Sequence, residues 1–232
     1  ALANAGAGDA VLIHGCCHNP TGVDYTAEDW AAIADALANS PVLPIVDFAY
    51  HGLGFGLEED AAGMRALLAA VPEALVAYSC DKNFGVYRDR VGAFYVKSDN
   101  RDHLPVAISN AAALARANWS MPPDHGGAAI RIILGDEGMT AEWLAELDSM
   151  RQRLRWVRER LAAADNQVPG LDLAPLASQS GMFAMLALDK DQIQRLRDEH
   201  AIYMAGSGRI NVAGLTAGNI DRFIAALAEV TA

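Results

Sequence analysis

The stretch "GDAVLIHGCCHNPTG", Gly8 to Gly22, joins an apolar run of strand length to a tight turn, and its reading decides the fold. "AVLIHG" has the unbroken apolar character of a strand buried on both faces, the kind found in parallel sheets. The Asn-Pro-Thr-Gly that follows is turn chemistry: Pro20 fixes φ, Gly22 tolerates positive φ, and Asn19 carries a side-chain amide at the strand's C-terminal end. In an open α/β sheet that edge is where ligands bind. The two histidines and two cysteines between His14 and His18 raise zinc, whose preferred ligands are imidazole and thiolate. The spacing argues against it. Cys16 and Cys17 are adjacent, and neighbours on an extended strand point to opposite faces, so one site could take only one of them. The expectation is no metal, with both cysteines as small buried residues closing a strand.

Outward from this stretch, apolar runs of strand length alternate with helical patterns, the signature of α/β architecture with a mostly parallel sheet. "YTAEDWAAIADALAN" opens on a capping-box pattern, Thr26 and Asp29, and places Trp30, Ile33, Ala34 and Leu37 on one helical face. "VLPIVD" reads as a strand ending at Asp47, "EEDAAGMRALLAAV" as a helix, "ALVAYS" as a strand ending at Ser79, and "VGAFYVKS" as another. Beyond Asp102 the pattern is helical, through "LPVAISNAAALARANW" and "GGAAIRIIL" to the long "TAEWLAELDSMRQRLRWVRERLAAAD". The remainder reads as a small α+β domain, with "GMFAMLAL" as a strand, "IYMAGSGRINVAG" as a strand pair or hairpin, and two helices. These patterns place a boundary near residue 150, between an α/β part over 1–149, which the resemblance given below makes a partial large domain, and a small C-terminal domain over 150–232.

Composition narrows the function. The 232 residues, 52% of them hydrophobic, are enough for a sizeable core. Eighteen Lys+Arg against 29 Asp+Glu give a net charge of -11 with no basic run, which argues against a nucleic-acid partner. No apolar run approaches the length of a membrane span, no secretory leader pattern opens the chain, and three cysteines are an odd number for a disulfide scaffold. The cytoplasm is the expected compartment.

Polar residues at the ends of apolar strands carry the chemistry. Asn19, Asp47 and Ser79 are offered to the same sheet edge by three strands. Lys82 follows three residues after the third strand, in "SCDKNFGVYRDRVG" between two apolar strands. A lysine drawn into such a crevice has its ammonium form disfavoured, and its neutral amine is a nucleophile toward carbonyls. That is the setting of a Schiff-base lysine.

"HNPTG", "DFAYHGLGFGLEED", "SCDKNFGVYRDRVG", "RANWSMPPDHG" and "SGRINVAG", in this order and spacing, resemble the pyridoxal-phosphate-dependent class I aminotransferases of the aspartate and aromatic amino-acid branch. The resemblance implies that Lys82 forms an aldimine with pyridoxal 5'-phosphate and then shuttles the proton at the substrate Cα. It implies that Asp47 pairs with the protonated pyridine nitrogen, keeping the ring an electron sink. Asn19 and Tyr50 would bond the ring's phenolate oxygen, and Ser79 and Arg90 the phosphate, a guanidinium fork suiting an anion. For the substrate, Arg209 would take the α-carboxylate, and Asn19 would also contact the substrate. Arg116 would reach across a homodimer interface to a distal carboxylate. His14 and His18 would stand behind Asp47, and Phe183 would border the substrate pocket. The implied reaction moves an amino group between aspartate, glutamate or an aromatic amino acid and a 2-oxo acid by a ping-pong route.

Three departures from the family pattern are visible. Asp81 stands where the family often has serine beside the phosphate, and a carboxylate there repels a dianion unless Arg90 intervenes. Met121 stands where asparagine is frequent. A long N-terminal portion of the family, which supplies part of the cofactor pocket and sheet, has no counterpart here. Its lack would expose strand edges and apolar surface, and it opens an alternative: a truncated, non-catalytic chain acting as a structural or dimerising partner. A lyase or decarboxylase using the same cofactor would keep Lys82 and Asp47 but has less reason to present both Arg116 and Arg209.

Overall fold

The computed structural model describes residues 2–232. The fold divides into two compact units. The first comprises Ala1–Gly15, Tyr25–Gly52 and Gly56–Leu147, and the second Cys16–Asp24, Leu53–Phe55 and Asp148–Ala232.

The first unit is built on a four-stranded sheet in the order β1 (Ala10–His14), β2 (Leu43–Phe48), β3 (Glu73–Ser79), β4 (Gly92–Ser98). β1, β2 and β3 are parallel, and β4 returns antiparallel to β3. Parallel neighbours need crossovers, and these are the helices α1 (Ala27–Ala38) and α2 (Leu57–Ala70). Right-handed crossovers that step in one direction leave both helices on one face of the sheet. Val46 and Phe48 on β2 and Val76 on β3 are buried, as are Trp30 and Leu37 of α1 and Leu67 of α2. The capping box opens α1 as its sequence predicts: Asp29 N–H donates to Thr26 Oγ1 at 3.1 Å, and Thr26 N–H to Asp29 Oδ2 at 3.0 Å.

α1 and α2 meet where α2 has no side chain. A Cβ on Gly63 would lie 2.2 Å from the indole of Trp30. Gly63→Ala should therefore destabilise the unit by about 1–3 kcal/mol through overpacking, against the ~1 kcal/mol that alanine normally gains over glycine inside a helix. Denaturant unfolding checks the sign.

The opposite sheet face is less covered. His14, Asp47 and Ala77 share a register row on it, and Leu12 and Phe94 are exposed there. The helices α3 (His103–Trp119), α4 (His125–Gly135) and α5 (Glu137–Ala162) follow. α3 buries none of its residues and exposes Val106, Ile108, Leu114 and Trp119.

The second unit pairs the short strands β5 (Phe183–Met185) and β6 (Arg209–Asn211) antiparallel and adds α6 (Lys190–His200) and α7 (Ile220–Thr231). Leu154, Val157 and Leu161 of α5, Leu173, Leu196 of α6 and Leu227 of α7 are buried. One expectation is corrected here. "IYMAGSGRINVAG" forms no hairpin of its own, because Ala205–Gly208 turns the chain so that β6 finds its partner in β5, Ile210 opposite Ala184. The premise about the cysteines also fails: β1 ends at His14 and Cys17 has φ of 52°, so the pair lies on a turn and both side chains are buried.

Candidate active site

The parallel register carries Asp47 and Ser79 to the C-terminal edge of the sheet, on one face, since Asp47 aligns with Ala77 and Ser79 lies two residues beyond. β4 begins at that same edge, with Gly92 opposite Ser79. The connection from Cys80 to Val91 is thereby held at the edge, and it contains Lys82 and Arg90. The loop after β2 supplies Tyr50, which is buried. His14 sits directly beside Asp47 in the strand register.

Lys82 is half-buried, with Nζ 5.2 Å from the centre of the Tyr50 ring and 5.5 Å from that of Tyr87. It makes no ion pair among the described residues, unlike Lys97, whose ammonium is 2.6 Å from Asp99. Its two chain neighbours are fixed. Asp81 is buried, accepting from Val91 N–H at 3.0 Å and from Arg90 Nη1. Asn83 is also buried: its Nδ2 donates to the Tyr78 hydroxyl at 2.9 Å, and its carbonyl accepts from Trp143 Nε1 at 2.8 Å. Tyr78 continues the chain of bonds to His51 Nδ1 at 3.0 Å. His51 Nε2 faces the Leu57 carbonyl at 2.7 Å, and a carbonyl only accepts, so Nε2 carries a proton. His51, Tyr78 and Asn83, whose bonds fix the chain beside Lys82, are residues that the sequence reading missed. The signal available was the Tyr78 parity, on the sheet face opposite Asp47.

Arg90 and Ser79 come together through Asp81, whose N–H donates to Ser79 Oγ at 3.2 Å. Arg116 stands apart, exposed in the last turn of α3. Two predicted residues belong to the second unit. Asn19 lies on the turn after Cys17, before a cis bond to Pro20, and Arg209 opens β6 with its guanidinium 5.2 Å from the Phe183 ring centre. Arg209 and Phe183 line a cavity of about 540 Å³ with Tyr203 and Asn211. His18, expected behind Asp47, has Nδ1 2.7 Å from Thr21 Oγ1. The turn is organised by Asp24, whose carboxylate accepts from the N–H groups of Cys17 and His18 at 2.8 and 2.7 Å and from the Ser180 hydroxyl.

A lysine amine at a sheet edge, with an aspartate and a serine on neighbouring strand ends, is an arrangement shared with known proteins. The family model described as "Aminotransferase class I and II" matches residues 1–227. The chain belongs to the class I and II aminotransferase family. A tyrosine aminotransferase of Rhizobium meliloti is 48% identical over 215 residues, covering 93% of this chain and 55% of the relative. The aspartate aminotransferase of Escherichia coli is 42% identical over 230 residues, covering 99% of this chain and 58% of the relative. A solved structure of an aromatic-amino-acid aminotransferase from Burkholderia pseudomallei, described as covalently bound to pyridoxal phosphate, superposes with a TM-score of 0.94 at 36% identity, covering 100% of this chain and 58% of that one. This aminotransferase chain thus spans under two-thirds of the length of the relatives it matches. Among the described residues no helix is long and apolar enough to cross a membrane.

The residues of the aminotransferase chain fit such a cofactor. Lys82 offers an amine that makes no ion pair among the described residues, Asp47 offers a carboxylate to a ring nitrogen, and Ser79 and Arg90 offer donors to a phosphate.

Proposed function

We propose that the protein is a pyridoxal-phosphate-dependent aminotransferase, moving an amino group between aspartate, glutamate or an aromatic amino acid and a 2-oxo acid in a ping-pong cycle. The observation that carries this is Lys82, half-buried at the C-terminal sheet edge beside Tyr50, with both chain neighbours immobilised. Pyridoxal phosphate, when bound, supplies the electron sink for the charge left at the substrate Cα. In this reading, Lys82 would hold the cofactor through its Nζ and would move the proton at the substrate Cα. Asp47 holds a proton on the ring nitrogen. Asn19 and Tyr50 bond the ring oxygen, and Ser79 and Arg90 hold the phosphate. Arg209 takes the substrate α-carboxylate through two parallel N–H bonds, with Phe183 beneath the guanidinium. Arg116 takes a distal carboxylate in a partner subunit's site. Residues 1–149 form the cofactor-binding part and 150–232 the smaller part. The partner is a second copy of the chain, a reading supported by the unburied apolar α3, and the compartment is the cytoplasm.

The test uses the chain's small lysine complement. It has Lys82, Lys97 and Lys190. Protein incubated with pyridoxal phosphate and then treated with borohydride should carry the reduced label on Lys82. Label spread over Lys97 and Lys190 would overturn the assignment. Addition of aspartate or tyrosine before reduction should release the label and yield the matching 2-oxo acid.

A further inference from the structure

One residue at the phosphate end does not behave as a plain anion site requires. Asp81 is 1% exposed, and it touches both residues proposed to bind the phosphate. Its Oδ2 takes Arg90 Nη1, which also donates to the Tyr87 carbonyl at 3.0 Å, and its N–H uses one lone pair of Ser79 Oγ at 3.2 Å. Its other oxygen is fixed by Val91 N–H at 3.0 Å, so the carboxylate cannot swing away. The arginine is left with Nε and Nη2 unbonded among the described residues, on a side chain 68% exposed. An arriving anion therefore meets a guanidinium whose charge a buried carboxylate already offsets, and it must sit near a second negative charge that water screens poorly on its buried side.

We propose that Asp81 is a built-in counter-ion to Arg90 that weakens the site's hold on the cofactor's phosphate, so that the cofactor is bound chiefly through Lys82 and the ring contacts and is exchanged readily. The inference rests on the cofactor reading above. It makes Asp81 a determinant of how strongly the site discriminates a phosphorylated pyridine aldehyde from its unphosphorylated form.

The experiment is an absorbance titration of the full chain with pyridoxal phosphate and, separately, with pyridoxal, comparing the wild type with Asp81→Ser and Asp81→Asn. The serine variant removes the charge and keeps a small polar group, and the asparagine variant keeps the acceptor for Val91 N–H. Removing the charge should tighten pyridoxal phosphate about tenfold, roughly 1.4 kcal/mol, and leave pyridoxal within about twofold. Inorganic phosphate should compete with pyridoxal phosphate more strongly in both variants than in the wild type. If either folded variant binds pyridoxal phosphate no tighter than the wild type, or tightens both aldehydes equally, the proposal is overturned. Weaker binding of the phosphorylated form alone would mean that Asp81 serves as a clamp that aims Arg90. If neither aldehyde binds at Lys82 in the wild type, the cofactor reading fails instead, a different outcome from an unchanged ratio.

Discussion

Lys82→Ala is expected to abolish the borohydride-fixable attachment of pyridoxal phosphate and to lower turnover by about ten-thousandfold, while leaving the fold intact. The two halves of that expectation have different causes. On the proposed reading turnover falls because the same amine would hold the cofactor and would move the proton at the substrate Cα, and a positioned proton-transfer group alone contributes up to about 10⁴-fold. Stability holds because nothing structural hangs on the ammonium. It makes no ion pair among the described residues, and the backbone on either side is fixed by its neighbours, Asp81 through Val91 and Arg90, Asn83 through Tyr78 and Trp143. Its contacts with Tyr50 and Tyr87 are the 5 Å approaches of a cation to ring faces, worth about 0.5–1 kcal/mol at a partly exposed site. Lys82→Arg is the discriminating companion. It keeps the charge over the rings but cannot be deprotonated to a nucleophile, so it should be as inactive as the alanine variant. An arginine variant retaining more than a few per cent of the wild-type turnover would show that Lys82 acts through its charge. Circular dichroism and a melting curve within about 2 °C of the wild type would establish that either variant is folded.

Much of this arrangement was legible in the sequence because it is local. A polar residue at the end of an apolar run, such as Asp47 or Ser79, announces both the strand and the edge where it ends, and the parallel register then places the two on one face. The capping box at Thr26 is likewise a four-residue pattern. Non-local features stayed hidden. No spacing rule connects His51 with Tyr78 or Asn83 with Trp143, since these bonds join residues 27 and 60 apart. Asp81 could be marked as a charge out of place, but its burial and its grip on Arg90 depend on β4 returning antiparallel to present Val91 N–H. The predicted hairpin around "SGRINVAG" failed for the same reason: three residues of strand pair with whatever edge lies near, and here that edge is β5. The histidine and cysteine cluster misled in a further way, since Cys16 and Cys17 sit on a turn governed by Asp24, a residue with no motif around it.

Arg158 is where the largest loss of stability is expected. It lies on α5, a helix with charges along much of its length, yet it is 2% exposed. Its guanidinium donates to the carbonyls of Ser180 at 2.7 Å, Gly181 at 2.9 Å and Phe183 at 2.7 Å, and to Gln179 Oε1 at 3.3 Å. One side chain thereby holds three carbonyls at the start of β5, while the Met182 carbonyl between them accepts from Val212 N–H at 2.7 Å. The packing leaves no slack: a Cβ on Gly22, at φ of +72°, would lie 2.8 Å from Nη2 and 2.9 Å from the Phe183 carbonyl. Burial pushes the Arg158 pKa down to about 10, with Cys17 and Asp24 partly opposing the shift. A base whose folded pKa lies below its unfolded value carries a penalty for holding its charge in the fold. That penalty is fully present below pH 10 and lifts only as pH rises from there toward the ordinary arginine value. Arg158 therefore adds no pH dependence to stability between about pH 6 and 9. In many proteins an apolar residue replaces a buried charge at little cost, but only when the partners are replaced too. Here the partners are backbone carbonyls, which stay behind without donors. Arg158→Ala should cost about 3–5 kcal/mol in denaturant unfolding, equally at pH 6 and pH 9, and Arg158→Lys should recover part of it, since an ammonium has three donors but no fork. A loss below about 1 kcal/mol would mean that water takes over the carbonyls and that the segment before β5 is held by Asp24 and Ser180 instead.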